Sequence, residues 1–302
     1  PPEVRARVEM TVGCGDCDGL PKVADAGTIV EREGERWQVM HNGLLVPAGG
    51  YHGDWMIEVI RRLRGHHEPQ EELLFAEVLT HCAPGSTIVE LGAFWSYYAA
   101  WFVSTVPGGR AVLLEADEPS LAVGRATFAG NGLDADFHLA VVGATPAAAV
   151  DFVRESDGAR VRIPRHSVAS LAESAGVERI ELLLADVQGA ELEALEGSAE
   201  LVAAGRLRFC VVSTHHHSIS GDPLTHQRCL AWVRDHGGHV IAEHSVAESF
   251  SGDGLIVASF AGPDRNIAPI PMSRNRACDS QFGEAEYDLA VAWDRLFGDG
   301  AA

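Results

Sequence analysis

From Glu68 to Phe260 the chain alternates short apolar runs with segments of helical spacing, which leaves few architectures open. Thr87-Ile88-Val89-Glu90-Leu91 is apolar on both alternating faces, as a strand buried within a parallel sheet must be. Before it, Pro69 suits a first helical position, and Leu73, Leu74, Val78 and Leu79 mark an apolar helix face that Pro84-Gly85 ends. After it, a helix runs from about Trp95 to Val106 and stops at Pro107-Gly108-Gly109. The pattern then repeats: strand Ala111–Glu115, helix Pro119–Ala129, strand Phe137–Val142. Further on come strand Ile180–Asp186, helix Ala190–Ala204, strand Arg208–Ser213 and helix Leu224–His236. Gly238–Glu243 and Gly254–Phe260 close the series with no helix between them, which predicts an antiparallel hairpin at the sheet edge. The expected fold is α/β, a doubly wound Rossmann-like sheet, mostly parallel, with an antiparallel last strand.

Residues 1–65 precede this series and read as an N-terminal cap. Trp37–Met40 and Leu44–Val46 predict short strands around a His41-Asn42-Gly43 turn, and Asp54–Arg64 has helical spacing. Val39, Leu44, Leu45, Trp55, Ile57 and Ile60 make the segment too apolar for a disordered tail. The expected division is a cap over 1–65, a ligand-binding domain over 66–262, and a tail over 263–302 with a short helix at Glu284–Leu296.

The 302 residues carry a formal net charge of −20, which argues against nucleic acid or anionic membrane surfaces as partners. It accords with a small-molecule substrate, cationic or sugar-containing, although acidity also simply maintains solubility. No apolar run reaches membrane-spanning length and the first residues lack a secretory apolar core, so the expected location is cytoplasmic. Of six cysteines only Cys14 and Cys17 lie close together. That is half of a tetrahedral zinc site, and the surrounding glycines read as a reduced turn more readily than as a metal clip or disulfide.

Ligands of open α/β sheets bind beyond the carboxyl ends of the strands, at the switch point. The first strand ends in Glu90-Leu91-Gly92-Ala93-Phe94-Trp95-Ser96-Tyr97-Tyr98. There Gly92 permits close approach of a ligand, Glu90 offers a carboxylate to an ammonium group, and Ser96 stands where a third small glycine would serve. The second strand ends in Glu115, 25 residues beyond Glu90, where an acid suits both hydroxyls of a ribose. A nucleoside cofactor follows, with Glu90, Gly92, Ala93, Ser96, Tyr98, Glu115 and Asp186 as its expected contacts.

The run Glu90–Tyr98 resembles the first motif of FkbM-type methyltransferases, and Asp186-Val187-Gln188-Gly189-Ala190-Glu191 is similar to their Asp-x-Glu-Gly-Ala-Glu signature, with Gln188 in place of glutamate. The resemblance covers about residues 68–260. It implies the class I methyltransferase sheet, S-adenosylmethionine as cofactor, and O-methylation of a sugar or natural-product hydroxyl. N-methylation of an aminosugar and an inactive cofactor-binding module are the alternatives. A hydroxyl acceptor must lose a proton, so Asp186 and the histidines after the fifth strand, His215 and His217, are the candidate catalytic residues. Asp186 with His215 is also a candidate divalent-metal pair. His41, Tyr51, His67 and Gln70 are the candidate substrate contacts.

Overall fold

A computed structural model describes residues 2–282; the expected helix at Glu284–Leu296 lies outside the described residues. The chain begins with α1 (Pro2–Val12), a meander of β1 (Ile29–Arg32), β2 (Glu35–Val39) and β3 (Leu45–Pro47), then α2 (Asp54–Arg62) and α3 (Pro69–His81). Next come β4 (Thr87–Leu91), α4 (Tyr97–Thr105), β5 (Arg110–Glu115), α5 (Glu118–Gly130) and β6 (Asp136–Leu139). A small excursion follows: β7 (Val141–Val142), β8 (Ala147–Val153), β9 (Arg160–His166) and α6 (Val168–Ser174). The remainder is β10 (Ile180–Asp186), α7 (Glu191–Glu196), α8 (Ala199–Ala203), β11 (Leu207–Thr214), α9 (His217–Ser220), α10 (Thr225–Asp235), β12 (His239–His244) and β13 (Gly254–Ser259).

The central sheet has seven strands in the order β12-β13-β11-β10-β4-β5-β6. All are parallel except β13, which runs antiparallel to both β11 and β12. The closing hairpin thus lies at the sheet edge, with the reversed strand, last in the chain, second from that edge. β4 lies between β5 and β10, so the winding reverses beside it and the carboxyl ends of β4 and β10 flank the crevice.

Period-two alternation explains the uninterrupted apolar runs. Ile88, Leu113, Leu182, Leu184, Phe209 and Val211 face a core shared with α3 and α4. Their neighbours Val89, Val112, Leu183, Ala185, Cys210 and Val212 face the opposite core, under α6, α7 and α10.

Three details depart from the strand and helix expectations. The expected strand Phe137–Val142 is divided at Ala140, with β6 in the main sheet and β7 paired to β9 in a separate three-stranded one. The helix expected over Ala190–Ala204 breaks at Gly197-Ser198, because Gly197 packs so closely that a Cβ there would lie 2.8 Å from the Gly143 carbonyl oxygen. Helix α1 was not expected; Val8 buries in the core, while Thr11 and Arg7 donate to the carbonyls of Phe250 and Ser251.

The cap is joined to the sheet domain by packing and by paired hydrogen bonds. Asn131 after α5 accepts from Leu45 N–H at 2.9 Å and donates to the Leu45 carbonyl at 2.7 Å. Met40, Leu44, Val46, Met56, Val59 and Ile60 share one core with Phe75 and Phe102. Cys14 and Cys17 lie in the turn after α1, buried and not joined as a disulfide. Among the described residues no helix is long and apolar enough to cross a membrane.

Candidate active site

The turn after β4 is shaped by three residues in the left-handed region, Gly92 (φ 75°), Phe94 (φ 31°) and Ser96 (φ 57°). Gly92 is obligatory, since a Cβ on it would lie 1.7 Å from the Asp186 carbonyl oxygen. Ser96 adopts a left-handed backbone that favours glycine, and Gly124 of α5 makes room, since a Cβ there would approach Ser96 Oγ to 2.3 Å. Ala93 is buried beneath the turn.

Two carboxylates hold this turn. Glu90 accepts from the Ala99 N–H of α4 at 2.9 Å; burial pushes its carboxyl up to about 8, against the pull of that bond. Glu115 accepts from Phe94 N–H at 3.0 Å through one oxygen and from Asp117 N–H at 2.8 Å through the other. Burial raises its carboxyl too. Each Glu115 oxygen retains a lone pair, which is what two vicinal ribose hydroxyls require. The residues therefore fit a nucleoside with an amino-acid arm: Glu115 for the ribose, the backbone at Gly92 and Ala93 for close approach, and the acidic side of the crevice for the ammonium. Bound there, S-adenosylmethionine supplies a methyl group on a cationic sulfur.

The second constellation joins β10 and β11. Asp186 and Glu191, the first and last acids of the Asp186–Glu191 motif, both take hold of His215. Nδ1 of His215 lies 2.7 Å from the fully buried Glu191, and Nε2 lies 3.2 Å from Asp186 and 3.6 Å from Asp253. Gln188 (φ 49°) and Gly189 (φ 109°) fold the chain back between the two acids, and Gly189 N–H donates to Glu191 at 2.9 Å. Burial opposes charge on His215, but Asp253, Asp186 and Glu191 outweigh it and hold its pKa well above the ordinary value. Burial pushes Asp253 up to about 7, partly relieved by His215.

Helix α3 adds further acids. Glu71 accepts from Ser213 Oγ at 2.7 Å, and burial with Glu68 and Asp186 nearby raises its carboxyl well above the usual range. Glu68 accepts from Tyr98 Oη at 3.2 Å and lies 3.2 Å from His67 Nε2. Burial opposes charge on His67, yet Glu68 and Glu72 lift its pKa to about 10. Tyr51 of the cap stacks on Trp95 with ring centroids 4.5 Å apart and meets Phe94 edge-on. Arg7 of α1 lies over Trp55 and contributes the cationic field felt by Tyr51, Glu68 and Asp253.

The expected residues thus fall into separate groups. Glu90, Gly92, Ala93, Ser96 and Glu115 surround one turn, Asp186 and His215 meet, and Tyr51, His67 and Tyr98 lie between them. His217 begins α9, with its ring centroid 3.9 Å from that of His216 and outside the Asp186–His215 contact. Gln70 is consumed by structure: it donates to the carbonyls of Glu248 and Ser273 and accepts from Phe250 N–H. His41 is buried, stacked on His66 and set edge-on to Trp101. Sequence reasoning overlooked Glu191 as a partner of His215, although it closes the quoted motif. Asp253 was overlooked as well; the Gly252-Asp253-Gly254 turn before β13 was its only local signal.

A family model described as the methyltransferase FkbM domain matches residues 49–240, beginning inside the cap. No curated protein matches the chain. Among solved structures, a precorrin-6y C5,15-methyltransferase from Geobacter metallireducens is similar at 12% identity, covering 62% of this chain and 87% of its own, with a TM-score of 0.40. A SAM-dependent methyltransferase from Aquifex aeolicus has 11% identity over 63% of this chain and 89% of its own, with a TM-score of 0.40. TrmK from M. capricolum, in complex with S-adenosylhomocysteine, has 10% identity over 65% of this chain and 74% of its own, with a TM-score of 0.38. With the family model covering more than half of the chain, from the cap through the turn after β4 to His215, the chain belongs to the FkbM family of S-adenosylmethionine-dependent methyltransferases.

Proposed function

We propose that the enzyme O-methylates a small-molecule hydroxyl on a sugar or glycosylated natural product, and that the acceptor carries a cationic group. The observation that carries this reading is His215, gripped by Glu191 and facing Asp186 and Asp253 at the ends of β10 and β11. Methyl transfer to a hydroxyl releases a proton, and this cluster of exchangeable protons, with Asp253 near 7, is suited to receive it. The acids Glu68, Glu71, Asp186 and Asp253 share one field, which supports an amine-bearing acceptor such as an aminosugar.

The test is methyl transfer from labelled S-adenosylmethionine to a panel of neutral sugars, aminosugars and aminosugar-containing natural products. An O-methyl product from the amine-bearing members is expected, identified by mass and by the methyl chemical shift. An N-methyl product from the same acceptors would replace the proposal with the aminosugar N-methyltransferase reading, and no transfer to any acceptor with cofactor binding intact would favour an inactive module. His215→Ala is expected to lower turnover by about 10²–10⁴ while S-adenosylhomocysteine affinity stays within twofold by calorimetry. A wild-type rate in that variant would remove His215 from the proton-accepting cluster. If a divalent metal held by Asp186 and His215 does this work instead, chelation abolishes activity and a divalent ion restores it.

A further inference from the structure

We propose a structural metal site, best suited to zinc, formed by His41 of the cap with His66 just before α3 and Glu72 in its first turn. Among the described residues these three bring nitrogen and carboxylate ligand atoms within 4.8 Å of one another, all fully or nearly buried. The strand-end pair Asp186 and His215 is not part of this group.

Hydrogen bonding determines what each atom offers. Nδ1 of His41 lies 3.0 Å from the Pro21 carbonyl oxygen, which only accepts, so this nitrogen carries the proton. Nε2 of His41 is therefore a bare lone pair. It has no hydrogen-bond partner, and the nearest charged atom is Glu72 Oε2 at 3.9 Å, itself an acceptor. A buried lone pair facing a carboxylate with no donor between them is unfavourable as it stands and is relieved by a cation.

His66 completes the set once its ring turns out of the stack on His41, since the two rings lie nearly parallel with centroids 4.1 Å apart. Nδ1 of His66 donates to the same Glu72 oxygen at 2.5 Å, a proton that a metal would displace. The other Glu72 oxygen accepts from His67 N–H at 2.7 Å, which fixes the carboxylate's orientation as outer partners of metal ligands do. Two imidazoles and a carboxylate select zinc or a similar transition metal over magnesium or calcium. The hydrogen bond to the Pro21 carbonyl ties the chain around Pro21 to this point, so the ion would pin the cap to α3.

The test titrates zinc into the full chain after chelator treatment and desalting, by calorimetry in two buffers of different ionisation enthalpy. One equivalent bound with proton release, tighter at higher pH, and a raised melting temperature are expected. His41→Ala should weaken binding by more than the roughly 10–100-fold that loss of an outer partner costs. Asp186→Asn should leave zinc binding intact. His66→Gln supplies the second ligand variant, and circular dichroism with S-adenosylhomocysteine binding reports whether each variant is folded. Absence of zinc binding in the wild type would overturn the site. So would binding that survives in folded His41→Ala or His66→Gln, or binding that Asp186→Asn removes.

Discussion

Glu90 shows how one side chain can serve the cofactor turn at a cost to stability. Its raised pKa has a definite sign: the folded state keeps the proton up to about 8, whereas the unfolded carboxyl releases it near 4.5. The folded form binds more protons between these values, so this contribution is complete at lower pH and is lost as pH rises through the folded pKa, at up to about 1.4 kcal/mol per pH unit. Glu90→Gln, which keeps an acceptor for Ala99 N–H, should flatten the decline in melting temperature between pH 5 and 8, as roughly bracketed by those two pKa values. An unchanged profile would show that Glu90 is not the titrating group. At Gly92 the reasoning is steric. Alanine would need a positive φ and a Cβ inside the Asp186 carbonyl, so Gly92→Ala should cost at least the roughly 1–3 kcal/mol of a strained backbone and should abolish S-adenosylhomocysteine binding.

Between elements, the same sequence signals meant different things according to what they packed against. The alternation in β4, β5, β10 and β11 was legible because both sheet faces are buried, leaving an apolar run that no exposed strand could tolerate. β8 and β9 carry Asp151, Arg160, Arg162 and Arg165 on a largely solvated hairpin, and their sequence offers no such run. The Asn131 bridge is another feature of contact between elements, because it looks like an ordinary turn residue until β3 lies beside it. Asn131→Ala should remove both bonds to Leu45 and cost about 1–3 kcal/mol, read from chemical denaturation. No change in midpoint would mean that packing alone retains the cap.

For the whole molecule, the cap and the sheet domain share one hydrophobic core. Val8, Met40, Leu44 and Val46 belong to the cap, while Phe75, Tyr97 and Phe102 belong to the sheet domain. A detachable lid would allow deletion of residues 1–50 without loss of fold; this packing predicts the opposite. The deletion should uncover the apolar residues of α3 and α4 that share this core and yield insoluble or molten protein, whereas the intact chain should melt in one cooperative transition by calorimetry. Two separated transitions would show the cap to be an independent unit. The cap's part in acceptor turnover is therefore better probed by Tyr51→Ala, which unstacks Trp95 and leaves the core in place.

By itself the sequence determined the strand and helix order of the seven-stranded sheet, the turn at Gly92, an acid, Glu115, at the end of β5, and the meeting of an acidic motif with a histidine run. These are local properties, set by periodicity, glycine and the ends of apolar runs, and they survive without knowledge of what packs where. Tertiary structure alone decided that Glu191 rather than a solvent molecule orients His215, that Asp253 arrives from a loop 38 residues further on, and that Gln70 and His41 are internal. Polar side chains have no periodicity that distinguishes a satisfied interior from a wet cleft. Their roles depend on which distant backbone or carboxylate comes within about 3 Å, and only the assembled sheet brings those partners together.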